Sequence, residues 1–156
     1  MKYIVTFLIL LQMLFAQELK IKANSFSADQ SKGVSTFSGD VFIKKHSDEL
    51  NASKVTVYTD KKNKPVKFIA VGDVSFKITT DKGSRYSGKA QKVIYMPKKQ
   101  EYHFFKDVHL KQLDKKKEII GEKVILKSKD GKAYAEGIKT EPVIMIFDLG
   151  DTGDKK

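Results

Sequence analysis

The chain has no cysteine and no tryptophan, and only one of its 30 basic residues is an arginine, Arg85. Without cysteine, the fold can contain neither a disulfide nor a thiolate that binds metal or attacks a substrate. Arginine recognises bases and phosphates through a planar fork, whereas lysine acts as a compact point charge. The net charge of +11 therefore indicates a diffuse attraction to polyanions, and we expect no nucleic-acid partner.

Residues that could carry catalysis are also scarce. The chain has three histidines, His46, His103 and His109. The last two are six residues apart in one predicted strand, which separates them by roughly 20 Å and prevents them from sharing a metal unless a bulge brings them together. No glycine-rich phosphate loop, nucleophile elbow or His-Glu helix motif is present. We predict a protein that is not an enzyme and needs no cofactor or metal.

The amino terminus has the pattern of a secretory signal. After Lys2, residues 4–15 form an apolar run, which is shorter than the roughly 20 residues that span a membrane. A short positive start, an apolar core and a small residue are typical of a signal peptide. We predict a signal peptide over residues 1–16, cleaved near Ala16, with an uncleaved anchor or a buried strand as the alternative.

The mature chain is predicted to form a single β domain. Apolar and polar residues alternate over 19–23 and 74–79, which is typical of half-buried strands. Turn signals recur every ten residues or so, and no long segment outside the signal has a helical period, so a sandwich, barrel or jellyroll is expected. Pro142 predicts that residues 143–147 lie at a sheet edge. The domain is predicted over residues 17–149, followed by a disordered tail over 150–156.

A short motif occurs three times in the mature chain. Its Gly-Asp-Val kernel is found at 39–41 and 72–74, and Lys106 replaces the glycine in the third copy. Each kernel is followed by a second phrase, in which a small residue and a spacer precede Lys-Val; these phrases begin at Ala52, Ala90 and Gly121. Repeats of this kind indicate a repeated structural unit. We interpret the unit as a strand pair and expect its glycine and aspartate at the start of a strand.

Sixteen apolar or aromatic residues have the parity to face the interior of such a domain. They are Phe37, Val41, Ile43, Val55, Val57, Phe68, Val74, Phe76, Ile78, Val93, Tyr95, Phe104, Val108, Leu110, Val124 and Leu126. Composition alone cannot distinguish a closed core from a groove that binds acyl chains, because both are lined by the same residue types.

The repeated motifs resemble the OstA-like domain family, and within it the LptA type of periplasmic lipopolysaccharide-transport protein. The similarity covers roughly residues 19–147 and is weakest in the third copy, at Lys106 and Leu126. The resemblance implies a twisted open β-jellyroll built from antiparallel strand pairs. It also implies a periplasmic carrier whose sixteen inward residues bind the acyl chains of lipopolysaccharide (lipid A).

The same resemblance implies how the carrier would be assembled. Members of the family join end to end through their terminal strands and bridge inner-membrane LptC-like and outer-membrane LptD-like jellyroll domains, and head-to-tail self-association is expected. Two alternatives are kept. One is a membrane-anchored LptC-like subunit of the same pathway, and the other is a periplasmic polysaccharide-binding module or enzyme on a jellyroll.

Overall fold

The computed structural model describes residues 18–150, which form ten β-strands. The strands are β1 (Leu19–Lys22), β2 (Ser25–Asp29), β3 (Val34–Lys45), β4 (Asp48–Thr59), β5 (Pro65–Thr79), β6 (Arg85–Met96), β7 (Glu101–Gln112), β8 (Lys117–Lys127), β9 (Lys132–Glu136) and β10 (Ile144–Phe147). In this part of the chain, we find no helix long and apolar enough to cross a membrane. The predicted signal peptide and nearly all of the predicted tail lie outside the described residues.

All ten strands belong to one antiparallel sheet. Strands β3 to β8 are neighbours in chain order because each is joined to the next by a short hairpin turn. At one end of the sheet, β1 and β2 both pair with β3, and at the other end β9 and β10 both pair with β8. Each end of the sheet therefore consists of two short strands, and β10 lies at an edge, as Pro142 predicted.

The long strands fold over so that the sheet makes two layers. The first layer contains β2, β9 and residues 34–38, 54–59, 65–71, 92–96, 101–105 and 123–127; the second contains β1, β10 and residues 41–45, 48–52, 74–79, 85–90, 108–112 and 117–121. Side chains meet between the layers: the ring centroids of Phe76 and Phe104 are 4.5 Å apart. The sheet thus buries its own apolar face and needs no helix to cover it.

The fold between the two layers lies at the repeated kernels. Gly39-Asp40 and Gly72-Asp73 both have positive φ angles, from +43° to +85°, and the strand register shifts by one residue at each pair. These pairs form β-bulges, which bend a strand and increase its twist. Our expectation that the glycine and aspartate begin a strand is wrong, because they lie in the middle of β3 and β5.

The second repeated phrase lies directly opposite the bulges. Its spacer residue, Ser53 on β4, faces Gly39-Asp40, and the Ser53 hydroxyl donates to the carbonyl oxygen of Gly72 at 3.2 Å. The small residue, Ala52, points inward, the next two residues point outward, and Val55 points inward again. In the even-numbered strands β4, β6 and β8, the alternation of inward and outward residues therefore shifts by one position at the bend. The small residue of the phrase fits the inside of the bend.

The third copy of the motif makes the same bend although it lacks the glycine. Lys106 and Asp107 have φ angles of +62° and +49°, and the register between β7 and β8 shifts beside them. A lysine is tolerated because +62° lies near the centre of the left-handed region, at about +57°. By contrast, Gly72 has a φ of +85°, and a Cβ atom there would lie 2.5 Å from Ser53 Oγ.

We predict that Lys106→Gly leaves the protein as stable as wild type or stabilises it by up to about 1 kcal/mol. A left-handed backbone conformation costs a residue with a side chain about 1–2 kcal/mol, and glycine removes this cost. The gain equals or exceeds the cost of about 0.5–1 kcal/mol that glycine itself adds in a strand. Urea denaturation would measure the free energy of unfolding.

The matched control is Lys89→Gly, at an exposed lysine of β6 with no positive φ. This variant is expected to lose about 0.5–1 kcal/mol because it has only the cost of the glycine. Equal losses in the two variants would contradict a bulge at Lys106.

Candidate functional site

The sixteen residues predicted to face inward all do so. Twelve are buried: Val41, Val55, Val57, Val74, Phe76, Ile78, Val93, Phe104, Val108, Leu110, Val124 and Leu126. Phe37, Ile43 and Phe68 are partly buried and pack against this core, and Tyr95 is partly buried beside a pocket. The structure does not test their predicted role in lipid binding.

Sequence reasoning missed several residues of the interior. Ala52, Ala70 and Ala90 are buried, as are Tyr86 and Ile119. Ala52 and Ala90 could have been found from the repeated phrase, which places a small residue three positions before an inward valine. Tyr86 and Ile119 lie on even-numbered strands, where the parity switch at the bend hides the pattern.

The middle of the interior is filled. Phe104, Val108 and Leu110 on β7 have no exposed surface, and neither do Val124 and Leu126 on β8. These side chains belong to one core cluster, which occupies the space between the layers at β7 and β8. Any ligand longer than the remaining pocket must separate the layers.

An apolar pocket of 230 Å³ lies beside this filled core. It lies between the tips of the two layers, on the side away from the bulges, and we call this side the mouth. Its apolar and aromatic lining consists of Leu19, Ile43, Leu50, Pro65, Phe68, Phe76, Ile78, Tyr95, Pro97 and Tyr102. Five of these residues belong to the predicted set, and Lys45, Asp48 and Glu49 add charge at the rim.

One polar contact joins the two layers at this pocket. The Asp48 carboxylate, in the second layer, accepts a hydrogen bond from the Thr79 backbone N–H at 2.8 Å and another from the Tyr102 hydroxyl, in the first layer, at 3.4 Å. The Tyr102 ring stacks on Tyr95 with a centroid distance of 4.4 Å. Burial raises the pKa of Asp48 and the pKa of Tyr102 above their usual values, so the phenol stays protonated.

A second polar contact closes the mouth farther along. The backbone N–H of Asp81, beyond β5, donates to the carbonyl oxygen of Ser128, beyond β8, at 3.2 Å. Ser128 is buried, as are Thr80, which precedes Asp81, and Gln112. The mouth is therefore open near the amino-terminal strands and closed near β8.

His103 and His109 do not line this pocket. His103 Nε2 is 3.0 Å from Glu101, and this hydrogen bond lowers the pKa of the Glu101 carboxyl. His109 Nε2 is 3.6 Å from a different partner, Glu118. Between residues 18 and 150, no three histidine, aspartate or glutamate side chains come close enough together to hold a metal ion.

We predict that Asp48→Asn gains stability relative to wild type as the pH rises from about 3.5 to 6, a range that starts near the usual pKa of aspartate. Because burial raises the pKa of Asp48, the folded protein keeps this proton at pH values where the unfolded chain has released it. The contribution of Asp48 to wild-type stability therefore falls as pH rises through this range, and the Asp48→Asn variant does not have this loss. Thermal melting at several pH values would measure the difference.

Asp60→Asn serves as a control of opposite sign. The Asp60 carboxylate accepts backbone hydrogen bonds from Lys64 and Lys62, which lower its pKa. The stabilising effect of the Asp60 carboxylate is present above its usual pKa and is lost as pH falls. The Asp60→Asn variant should therefore become less stable relative to wild type as pH rises. The same trend in both variants would contradict the role given to burial at Asp48.

Comparison with known proteins gives a match by sequence family and a match by fold. Residues 20–132 match the family model described as LptA/(LptD N-terminal domain) LPS transport protein. The chain is similar in structure to LptH, the LptA-homologous periplasmic component of the lipopolysaccharide transport device of Pseudomonas aeruginosa, with a TM-score of 0.74. The two chains are 18% identical, and the match covers 85% of this chain and 96% of LptH. No curated protein matches by sequence.

These findings confirm the resemblance in the repeated motifs. The fold is the open all-β jellyroll of LptH, and the family match spans all three kernels and well over half of the chain. The chain therefore belongs to the LptA/(LptD N-terminal domain) family of LPS transport proteins.

Proposed function

We propose that the protein is a periplasmic carrier that shields the acyl chains of lipopolysaccharide between its two layers and catalyses no reaction. The observation that carries this proposal is the apolar pocket at the mouth, which adjoins the apolar core of this chain. The match to a family of LPS transport proteins identifies the class of ligand that such a pocket would bind. The alternative of a polysaccharide-binding module is less well supported, because the pocket is lined mainly by apolar side chains rather than by sugar-binding polar groups.

The energetic need for such a groove is large. Exposing an acyl chain to water costs about 0.8 kcal/mol per CH₂ group, so a twelve-carbon chain costs roughly 9 kcal/mol. An interior lined by valine, leucine and phenylalanine removes most of this cost. The head group would remain outside, where the net charge of +11 attracts its acidic groups.

The closed form is too small for the whole ligand. At 230 Å³, the pocket is smaller than the roughly 300–1,000 Å³ of sites that enclose a drug-sized molecule. We infer that the layers separate at the mouth during loading and remain joined along the bulges. This opening would break the Asp48–Tyr102 and Asp81–Ser128 hydrogen bonds.

The ends of the sheet suit the predicted assembly. All four residues of β10 are apolar and exposed, with Phe147 at 57% and Ile144 at 49%. At the other end, Phe26 of β2 is 61% exposed. An apolar edge strand with unpaired backbone groups favours strand pairing with another chain. We propose that these edges join further copies of the chain and the jellyroll domains of LptC-like and LptD-like partners.

Photo-crosslinking from the pocket tests lipid binding. A photoreactive phenylalanine analogue at Ile43 or Phe76, which line the pocket, is expected to crosslink to lipopolysaccharide. Phe104 is fully buried and should crosslink only if the layers separate. The matched control is Lys44, which follows Ile43 on β3 and points outward. Equal labelling from Ile43 and Lys44 would contradict binding between the layers.

A charged edge tests the assembly. Ile146→Lys in β10 is expected to shift the protein toward monomers, because a lysine at a strand edge opposes pairing with another strand. Light scattering coupled to size-exclusion chromatography would measure the mass. Leu113→Lys is the control, because Leu113 is 46% exposed but lies in the β7–β8 turn. The same effect in both variants, or none in Ile146→Lys, would contradict assembly through β10.

A further inference from the structure

The pocket contains a polar pair that an ordinary hydrocarbon chain cannot use. The half-buried Asp48 carboxylate and the Tyr102 hydroxyl face each other from opposite layers, 3.4 Å apart, in a pocket otherwise lined mainly by carbon. Apolar pockets with a few convergent polar groups select ligands by matching those groups. This pair therefore requires a reason beyond simple shielding of acyl chains.

Loading the pocket changes the hydrogen bonds of this pair. A chain that enters at the mouth passes between the layers and separates Tyr102 from Asp48. A plain alkyl chain would then leave the phenol without its carboxylate acceptor and the carboxylate with only the Thr79 N–H. Buried polar groups that lose a partner are costly, and the cost is larger for a charged group.

A hydroxyl group on the chain repairs both losses. It can donate to the Asp48 carboxylate and accept from the Tyr102 phenol, since a hydroxyl has one proton to donate and two lone pairs to accept with. A cationic ligand group is not needed at this position, because Lys45 already acts on Asp48 as a nearby positive charge. The pair is therefore matched to a neutral group that both donates and accepts.

We propose that the Asp48–Tyr102 pair makes the carrier selective for acyl chains that carry a hydroxyl group near their polar end. This inference rests on the proposed function, since it assumes that acyl chains enter the pocket at the mouth. It adds a polar specificity contact to a groove that is otherwise nonspecific for chain identity.

The test compares two chains that differ by one hydroxyl. Calorimetric titration of the protein with 3-hydroxydodecanoate and with dodecanoate, both below their micelle concentrations, is expected to show about tenfold tighter binding of the hydroxylated chain, the value of one hydrogen bond to a charged group. Tyr102→Phe and Asp48→Asn are expected to reduce this preference to about twofold or less.

Tyr134→Phe is the matched control, since Tyr134 lies on β9, is 51% exposed and does not line the pocket. It should keep the full preference. A cooperative thermal unfolding transition in Tyr102→Phe shows that the variant is folded. Equal affinity of wild type for the two chains would overturn the selectivity and leave the proposed function intact. Failure of wild type to bind either chain would count against the proposed function itself.

Discussion

The structure depends on a backbone constraint that is repeated in three strands. At the middle of β3, β5 and β7, two consecutive residues adopt left-handed backbone angles and add one residue to the strand. A strand of 12 to 15 residues would otherwise continue straight and leave its apolar face in water. Because the three bulges are in register across six strands, the whole sheet folds at one line, and its two halves bury each other.

This way of forming a core has a consequence for function. In a sandwich closed on all sides, opening the interior disrupts the fold, whereas here the layers are joined covalently and by hydrogen bonds along the bulges. The opposite side is joined by isolated contacts such as Asp48–Tyr102 and Asp81–Ser128. Opening the mouth would therefore expose apolar surface but break few hydrogen bonds. An acyl chain that fills the opened space restores the lost burial, so loading and opening are coupled in the proposed mechanism.

The motif repeat has a physical explanation that differs from the first interpretation of it. Gly72 is required because of its φ of +85° and because Ser53 leaves no space for a Cβ atom. Lys106 occupies the same place at +62°, where a side chain is strained but allowed. The loss of the glycine therefore weakens the sequence signal in the third copy, while the bend itself is preserved. Strand interiors were predictable because the alternation on each side of a bend is regular.

The sequence by itself determined the strand class, the repeat and the sixteen inward residues, since all three follow from local alternation and spacing. It also determined the diffuse positive charge and the absence of cysteine chemistry. Only the tertiary structure decided that the kernels bend strands rather than begin them, because a bulge is defined by the register of the neighbouring strand. It alone placed Asp48 beside Tyr102, which is 54 residues away. That pair meets only when the sheet folds at the bulges, so no local pattern in the sequence could have revealed it.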